Sequence, residues 1–321
     1  MQPVRRAVID VGTNSVKLLV ADVAGHDIRP LLEDSKQTRL GRGFYQTHRL
    51  RTEAIDTTAK AVAKFADLAR EREAAVIRVI ATSAARDAIN PAELMDAVEQ
   101  ASRLKLEIIS GDQEADWVFQ GVTTDPALAR EPLLLLDVGG GSTEFILGQG
   151  KHKHFRQSFP LGTVRLMEKI PLSDPPTPAE LAACRLWLKE FLLTEVRPRL
   201  EPALRKEQKI CSGRGTVLLV GAGGTTSILA RMEAQLDDYD RDRIEATRLN
   251  LERVQWHLRR LWSLPLDERK QIIGLPKNRA DIILTGVAIC ESVMEQFGFA
   301  ELRITTRGLR FAALMDGLRD H

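Results

Sequence analysis

Leu134-Leu-Leu-Asp-Val-Gly-Gly-Gly-Ser-Thr-Glu-Phe-Ile-Leu-Gly148 is an apolar run, one acid, a glycine turn and a second apolar run. The plan also occurs at the N-terminus, where Val4 to Val11 is followed by Gly12-Thr13-Asn14-Ser15 and then Val16 to Val23. Asp137 aligns with Asp10, Gly139 with Gly12, Ser142 with Ser15 and Glu144 with Lys17. Apolar, β-branched residues on both sides of a turn that tolerates sharp reversal predict a hairpin at each place. The repetition predicts two related halves.

The chemistry of these turns follows from what surrounds them. A glycine turn after an apolar strand lets backbone N–H groups approach phosphate oxygens. A dinucleotide-binding turn must run straight into a helix, and Val16–Val20 and Thr143–Leu147 read as strands instead. The P-loop ending in Gly-Lys-Ser/Thr is absent. Each turn carries one carboxylate just before its glycine, Asp10 or Asp137. Paired with phosphate, this suits Mg²⁺, which takes one or two carboxylates together with phosphate oxygens and water. Ser15, Ser142 and Thr143 add hydroxyl donors. The alternative is two structural hairpins whose aspartates stabilise their own turns. A third turn, Val220-Gly-Ala-Gly-Gly-Thr-Thr226, precedes a helix expected over Ser227–Gln235. It can hold an anion at the helix start, or Thr225 or Thr226 can be an ordinary N-cap.

The rest of the chain alternates helix and strand. Residues 53–72 have the spacing of an amphipathic helix, Val76–Ala81 of a strand, and Asn90-Pro91 starts a helix to about Arg103. Leu106–Ser110 reads as a strand, Asp112–Gly121 as a helix, and the pattern lapses at Thr123–Pro126, where a domain boundary is expected. Further helices are expected over Thr177–Leu193, Leu251–Leu261, Arg279–Phe297 and Gly308–Leu318, and strands over Thr216–Val220 and Leu302–Thr305. The chain has 321 residues, 44% of them hydrophobic and 28% charged, with a net charge of +2. That composition is ordinary for a globular protein, and the length suggests two domains. So mild a charge gives no argument for nucleic acid. The three cysteines, Cys184, Cys211 and Cys290, are widely separated, which fits a reducing compartment and gives no metal site. The apolar runs are strand-sized and no leader is evident, so the expectation is a cytoplasmic protein with no membrane partner.

These turns, with Ala81-Thr-Ser-Ala-Ala-Arg-Asp-Ala-Ile-Asn90, Ile109-Ser-Gly-Asp-Gln-Glu-Ala115, Gly221-Ala-Gly-Gly-Thr225 and Arg307-Gly-Leu-Arg310, resemble the exopolyphosphatase and guanosine pentaphosphate phosphohydrolase (Ppx/GppA) family of the actin-like ATPase superfamily. The resemblance implies an α/β fold of two actin-like (ribonuclease H-like) domains with an interdomain cleft. The first would span 1–125 plus about 306–321, the second 126–305. It implies hydrolysis of terminal phosphoanhydride bonds of inorganic polyphosphate or guanosine pentaphosphate, the latter tied to the stringent response. Longer relatives carry an extra C-terminal helical region, so this chain looks like the short form.

By the same resemblance, Glu114 is the general base, Glu144 an acid that positions metal or water, and Arg86 the arginine facing substrate phosphates. Phosphate would be bound by Gly12, Thr13, Asn14, Ser15, Gly139, Gly140, Gly141, Ser142, Thr143, Gly223, Gly224 and Thr225. Asp10, Asp137 and Glu144 would hold Mg²⁺ or a similar hard divalent ion such as Mn²⁺. Gln113 departs from the pattern, since relatives often have another acid there. Each residue also has a structural reading. Ser110 to Glu114 is what a capped helix start looks like, Glu144 can be an exposed strand residue, Arg86 can pair with Asp87, and Lys17 can face solvent. Basic segments at Lys151–His154, Arg197–Lys209 and Arg253–Arg260 are read as solvated faces or a polyphosphate track, and His152-x-His154 is a weak metal signal. The four tryptophans, Trp117, Trp187, Trp256 and Trp262, are expected in cores or interfaces. Alternatives for function are an ATP-dependent small-molecule kinase of the same superfamily and a non-catalytic nucleotide-sensing module. Association as a homodimer stays open.

Overall fold

The computed structural model describes residues 2–211 and 216–317. It divides into two units, Met1–Thr124 with Arg307–His321, and Asp125–Thr306. Each unit is a mixed sheet with helices packed on it.

In the first unit the strands are β1 (Val4–Val11), β2 (Ser15–Ala24), β3 (Asp27–Gln37), β4 (Val76–Ala81) and β5 (Leu106–Ile108), in the sheet order β3-β2-β1-β4-β5. β1 and β2 form the expected hairpin, antiparallel, with Asp10 opposite Lys17. β4 lies parallel to β1, and β5 parallel to β4. The helix Thr52–Glu71 buries Ile55, Val62, Phe65 and Ala69 at helical spacing. The helix Pro91–Ser102 starts with proline in its first turn, where no N–H is missed. The last helix, Leu309–Met315, returns to this unit. It packs against the helix Gly111–Val122, where a Cβ on Gly121 would meet the Gly308 backbone. Arg310 donates to the Leu18 carbonyl at 2.9 Å. Leu318, expected in this last helix, lies outside the described residues.

The second unit repeats the plan with β6 (Leu133–Val138), β7 (Thr143–Gln149), β8 (His152–Phe159), β9 (Leu218–Ala222), β10 (Arg248–Asn250) and β11 (Glu301–Ile304), in the order β10-β11-β9-β6-β7-β8. Read from its third strand, β8-β7-β6-β9-β11 matches β3-β2-β1-β4-β5, with β10 added antiparallel at the far edge. Its core includes Leu134, Leu136, Phe145 and Leu147, which face the helix Ile283–Phe297 and its neighbours. Inside that helix Glu291 is fully buried and paired bidentately with Arg185 of the helix Pro178–Phe191.

Several expectations need correction. β3, β8 and β10 and the helix Thr163–Lys169 have no counterpart in the sequence reading. The stretch Arg197–Cys211 is a helix whose Arg197 and Arg205 both pair with Glu201, so these cations are committed within the helix. Of the two places expected for the tryptophans, Trp256 is not in the core: it is 39% exposed, its ring lying under Arg253 and Arg260. The strand at Leu106 stops at Ile108, and the helix near Arg279 starts at Ile283 after a short 3₁₀ turn.

Candidate functional site

The two hairpin ends close alike. Gly12 N–H donates to the Ser15 carbonyl at 3.0 Å, and Gly139 N–H to the Ser142 carbonyl at 2.9 Å. In both, the segment after the third strand folds back on the loop. Thr38 and Arg39 N–H groups donate to the Asn14 carbonyl, and Gly41 N–H to the Thr13 carbonyl. In the second unit Thr163 N–H donates to the Gly139 carbonyl, and Val164 and Arg165 N–H to the Gly140 carbonyl. The loop carbonyls are thus turned into the protein and held there.

Sheet register brings other residues to the same edge. Val11, Ala81 and Ile108 end their parallel strands side by side. The loop after Val11, the turn Ser83–Arg86 and the helix start at Ser110 therefore emerge together at the carboxyl ends of the strands, where open α/β sheets bind ligands. Arg86 Nη1 donates to Glu114 Oε2 at 2.8 Å and to the Ile109 carbonyl at 3.2 Å. Its distance to Asp87 is 3.9 Å, so Glu114 is the closer partner. Glu114 sits in the first turn of the helix Gly111–Val122, where the Ser110 hydroxyl accepts from Gln113 N–H. The helix start is capped as a structural reading would have it, and yet Glu114 is buried against an arginine instead of lying on the surface.

Asp10 is buried, and its Oδ1 has no hydrogen-bond partner. Burial raises its pKa, against the opposing pull of Lys17 and Arg310. A buried carboxylate oxygen with no hydrogen-bond donor, next to a glycine turn, has the chemistry that suits a hard divalent cation. In the second unit Asp137 stands opposite Glu144 in the β6–β7 register, so two carboxylates are cross-strand neighbours. At the equivalent place in the first unit the pair is Asp10 and Lys17. Glu144 is 1% exposed, contrary to an exposed strand residue, and accepts from the Ser158 hydroxyl at 2.7 Å. Among the described residues no group of three or more acids, histidines or cysteines gathers as a metal cluster. A carboxylate pair fits Mg²⁺, which takes its other ligands from phosphate and water. His154 approaches Glu207 at 3.5 Å and has no such grouping.

The third turn reaches the same edge of the second sheet, since Asp137 is in register with Ala222. Its helix begins at Gly223, earlier than the sequence suggests, and Thr225 and Thr226 are not caps. The Thr225 hydroxyl donates to the Val138 carbonyl at 3.2 Å and Thr226 to the Ala222 carbonyl at 2.9 Å. Gly223 and Gly224 thus form the first turn and leave its N–H groups unobstructed. Gly223 has φ +84° and lies so close to Asp137 Oδ1 that a Cβ would collide with it. The Thr143 hydroxyl donates to the Leu161 carbonyl, so it braces the loop. In the first loop Gln37 donates to Asn14 Oδ1 at 3.3 Å. Ser158 and the arginines of the folded-back segments escaped the sequence reading, and Arg310 entered it only within the Arg307-Gly-Leu-Arg310 segment, with no role given. Ser158 and the folded-back arginines are placed by tertiary packing, and no local motif marks them.

The family model described as the Ppx/GppA phosphatase family matches residues 19–321. The chain belongs to the Ppx/GppA phosphatase family. The match starts beyond the first loop, which rests on its own geometry. "Exopolyphosphatase 2" of Mycobacterium tuberculosis is 33% identical over 310 residues, covering 91% of this chain and 90% of that protein. The crystal structure of the Aquifex aeolicus Ppx/GppA family member is 27% identical with a TM-score of 0.76, covering 98% of this chain and 97% of that one. An exopolyphosphatase from Cytophaga hutchinsonii, at 24% identity and TM-score 0.83 over 98% of this chain and 99% of that one, shares the fold. As a Ppx/GppA member the chain is an exopolyphosphatase-type phosphohydrolase with the actin-like fold. Among the described residues no helix is long and apolar enough to cross a membrane.

Proposed function

We propose that this Ppx/GppA protein releases the terminal phosphate of inorganic polyphosphate, with Glu114 as general base. The observation that carries the reading is the buried Glu114 paired with a half-buried Arg86 at the sheet edge that also bears the first loop. Glu114 takes a proton from water while the water oxygen attacks the terminal phosphorus. The bridging P–O bond breaks, and its electron pair leaves on a chain shorter by one phosphate. Arg86 fixes one Glu114 oxygen, and a planar guanidinium is the shape that matches phosphate oxygens. Beyond Gly12 and Gly139, whose N–H groups close the hairpins, the loops Gly12–Ser15 and Gly139–Thr143 and the turn Gly223–Thr225 are the backbone suited to present N–H donors to phosphate.

Within the second unit, the cross-strand pair Asp137 and Glu144 is suited to hold Mg²⁺ or Mn²⁺; within the first, Asp10 with its unpartnered Oδ1 is suited to the same kind of ion. When bound, the ion neutralises charge on the phosphate oxygens. Guanosine pentaphosphate presents the same terminal bond. The name of the Mycobacterium tuberculosis relative favours polyphosphate. Three buried free cysteines support a reducing, cytoplasmic setting. Burial pushes the Cys184 and Cys290 thiols up to about 12, which leaves them unreactive.

Glu114→Gln keeps the shape and a hydrogen bond from Arg86 but removes the base. Loss of a general base lowers kcat by about 10²–10⁴-fold, with KM nearly unchanged. A Glu114→Gln protein that turns over polyphosphate at the wild-type rate overturns the assignment.

A further inference from the structure

The second sheet sets three polar residues in a row across its strands. Asp137 of β6 stands opposite Glu144 of β7, and Glu144 stands opposite Ser158 of β8. Residues directly opposite on neighbouring strands share a face, so the row lies on one side of the sheet. The residues beside it point to the other side. There Leu136, Val138, Phe145 and Phe159 are buried in the core, and the two phenylalanine rings meet edge to face with centroids 5.5 Å apart. Core packing and the strand ladders therefore pin the backbone at all three places.

Two carboxylates directly opposite each other repel. Glu144 is also buried, and a buried carboxylate is costly unless it is hydrogen-bonded. The Ser158 hydroxyl donates its proton to Glu144 Oε1 at 2.7 Å, the length of a charge-assisted bond. The terminal torsion of a glutamate is broad, so a pinned backbone does not set the carboxylate plane. A bond to one oxygen does. A carboxylate offers about four lone-pair sites, and this bond takes one of them.

The first sheet holds the equivalent row, Asp10, Lys17 and Ser35. Its middle place is a cation, and Ser35 is exposed. A serine thus stands third in both rows, and only in the second does it face a buried acid.

We propose that Ser158 is a positioning residue, holding the Glu144 carboxylate in the orientation in which Glu144 and Asp137 share one divalent ion. This rests on reading that carboxylate pair as the ion's ligands. Ser158 acts through Glu144 and has no part in bond cleavage. Removing a group that orients a metal ligand typically lowers metal affinity or activity by about 10–100-fold.

The test compares wild type, Ser158→Ala, Ser158→Thr, Glu144→Gln and Ser35→Ala, with Mn²⁺ as the probe. Mn²⁺ binding to the substrate-free protein is measured by calorimetric titration. Beside it are measured the Mg²⁺ dependence of phosphate release from polyphosphate and a thermal melt in chelator. Ser158→Ala should bind Mn²⁺ about 10–100-fold more weakly and need correspondingly more Mg²⁺ for half its maximal rate. At saturating Mg²⁺ its kcat should return to within a few-fold of wild type. Ser158→Thr keeps the hydroxyl and should regain most of the affinity, and Ser35→Ala should bind as wild type does. If Glu144→Gln weakens Mn²⁺ binding and Ser158→Ala does not, whatever its melt, Ser158 is a structural residue and the inference fails while the ligand reading stands. Equal loss in Ser158→Ala and Ser158→Thr shows that the hydroxyl is not the cause and also overturns it. If neither Glu144→Gln nor Ser158→Ala weakens binding, or wild type binds no Mn²⁺, the ligand reading falls and the inference with it. If Mn²⁺ binding responds as expected and wild type releases no phosphate, the inference stands and the hydrolase reading falls.

Discussion

Replacing Gly223 by alanine asks the third glycine turn to do two things it cannot do at once. At φ +84° an alanine adopts a left-handed backbone, which costs about 1–2 kcal/mol. Its Cβ also falls closer to Asp137 Oδ1 than the 3.0 Å that real side chains respect, so either the turn or the carboxylate has to move. Displacing a site group by about 1 Å is enough to lower a rate about 10²-fold. Gly298→Ala separates the two effects. Gly298 has φ +73° at a helix C-terminus in the same unit, and nothing lies within 4 Å of an added Cβ. Urea denaturation should show a comparable loss, about 1–2 kcal/mol, for both variants. Phosphate release from polyphosphate should fall about 10²-fold for Gly223→Ala and stay near wild type for Gly298→Ala. If Gly223→Ala is no less active than Gly298→Ala, Asp137 does not hold the place in catalysis given to it here.

Arg185→Ala leaves the Glu291 carboxylate buried without its guanidinium, at a cost between the ~0.5 kcal/mol of an exposed pair and the ~3–5 kcal/mol of a buried one. Arg185 is 38% exposed, which argues against the upper limit, while the fully buried acid argues for more than the lower. Burial raises the Glu291 pKa despite Arg185. Its contribution to stability is therefore complete below the ordinary glutamate value of 4.5 and is lost as pH rises through the folded value, so the variant's deficit in urea should widen with increasing pH. Asp10 follows the same sign, since burial raises it above 3.8. Calorimetry in chelator and in Mg²⁺ should show ion-induced stabilisation that grows as pH rises through the folded Asp10 value, because the ion replaces the proton. A metal effect independent of pH would remove Asp10 from the ligand set.

The two related halves were legible because Asp-Val-Gly between apolar runs occurs twice, and a hairpin turn is a local property; that they are actin-like came from the family resemblance. The strands that escaped are at or near sheet edges. Asp27–Gln37 and His152–Phe159 carry charges on their open faces. Such charges protect an edge from pairing with another chain, and they also hide the strand from any search for apolar alternation. Lys151–His154 thus read as a basic patch, although most of it belongs to β8. The partnership of Arg86 with Glu114 joins residues 28 apart in sequence and exists only because β4 and β5 end in register. Arg165 and Arg39 are further from legibility. Nothing in Gly162-Thr-Val-Arg165 or Thr38-Arg-Leu-Gly41 announces that the chain folds back on a loop more than 20 residues earlier. Thr225 misled in a different way, because a threonine beside a helix start resembles a cap. Here two glycines occupy the first turn and the threonine hydroxyl is turned to Val138.

Hydrolysis of polyphosphate in water enriched in oxygen-18, with no acceptor present, tests the attacking group itself. Under a Glu114-activated water, mass spectrometry should find one solvent-derived oxygen in each orthophosphate released, and Glu114→Gln should release little. Orthophosphate without solvent oxygen, or phosphate that leaves the chain only when an acceptor is supplied, would contradict the account.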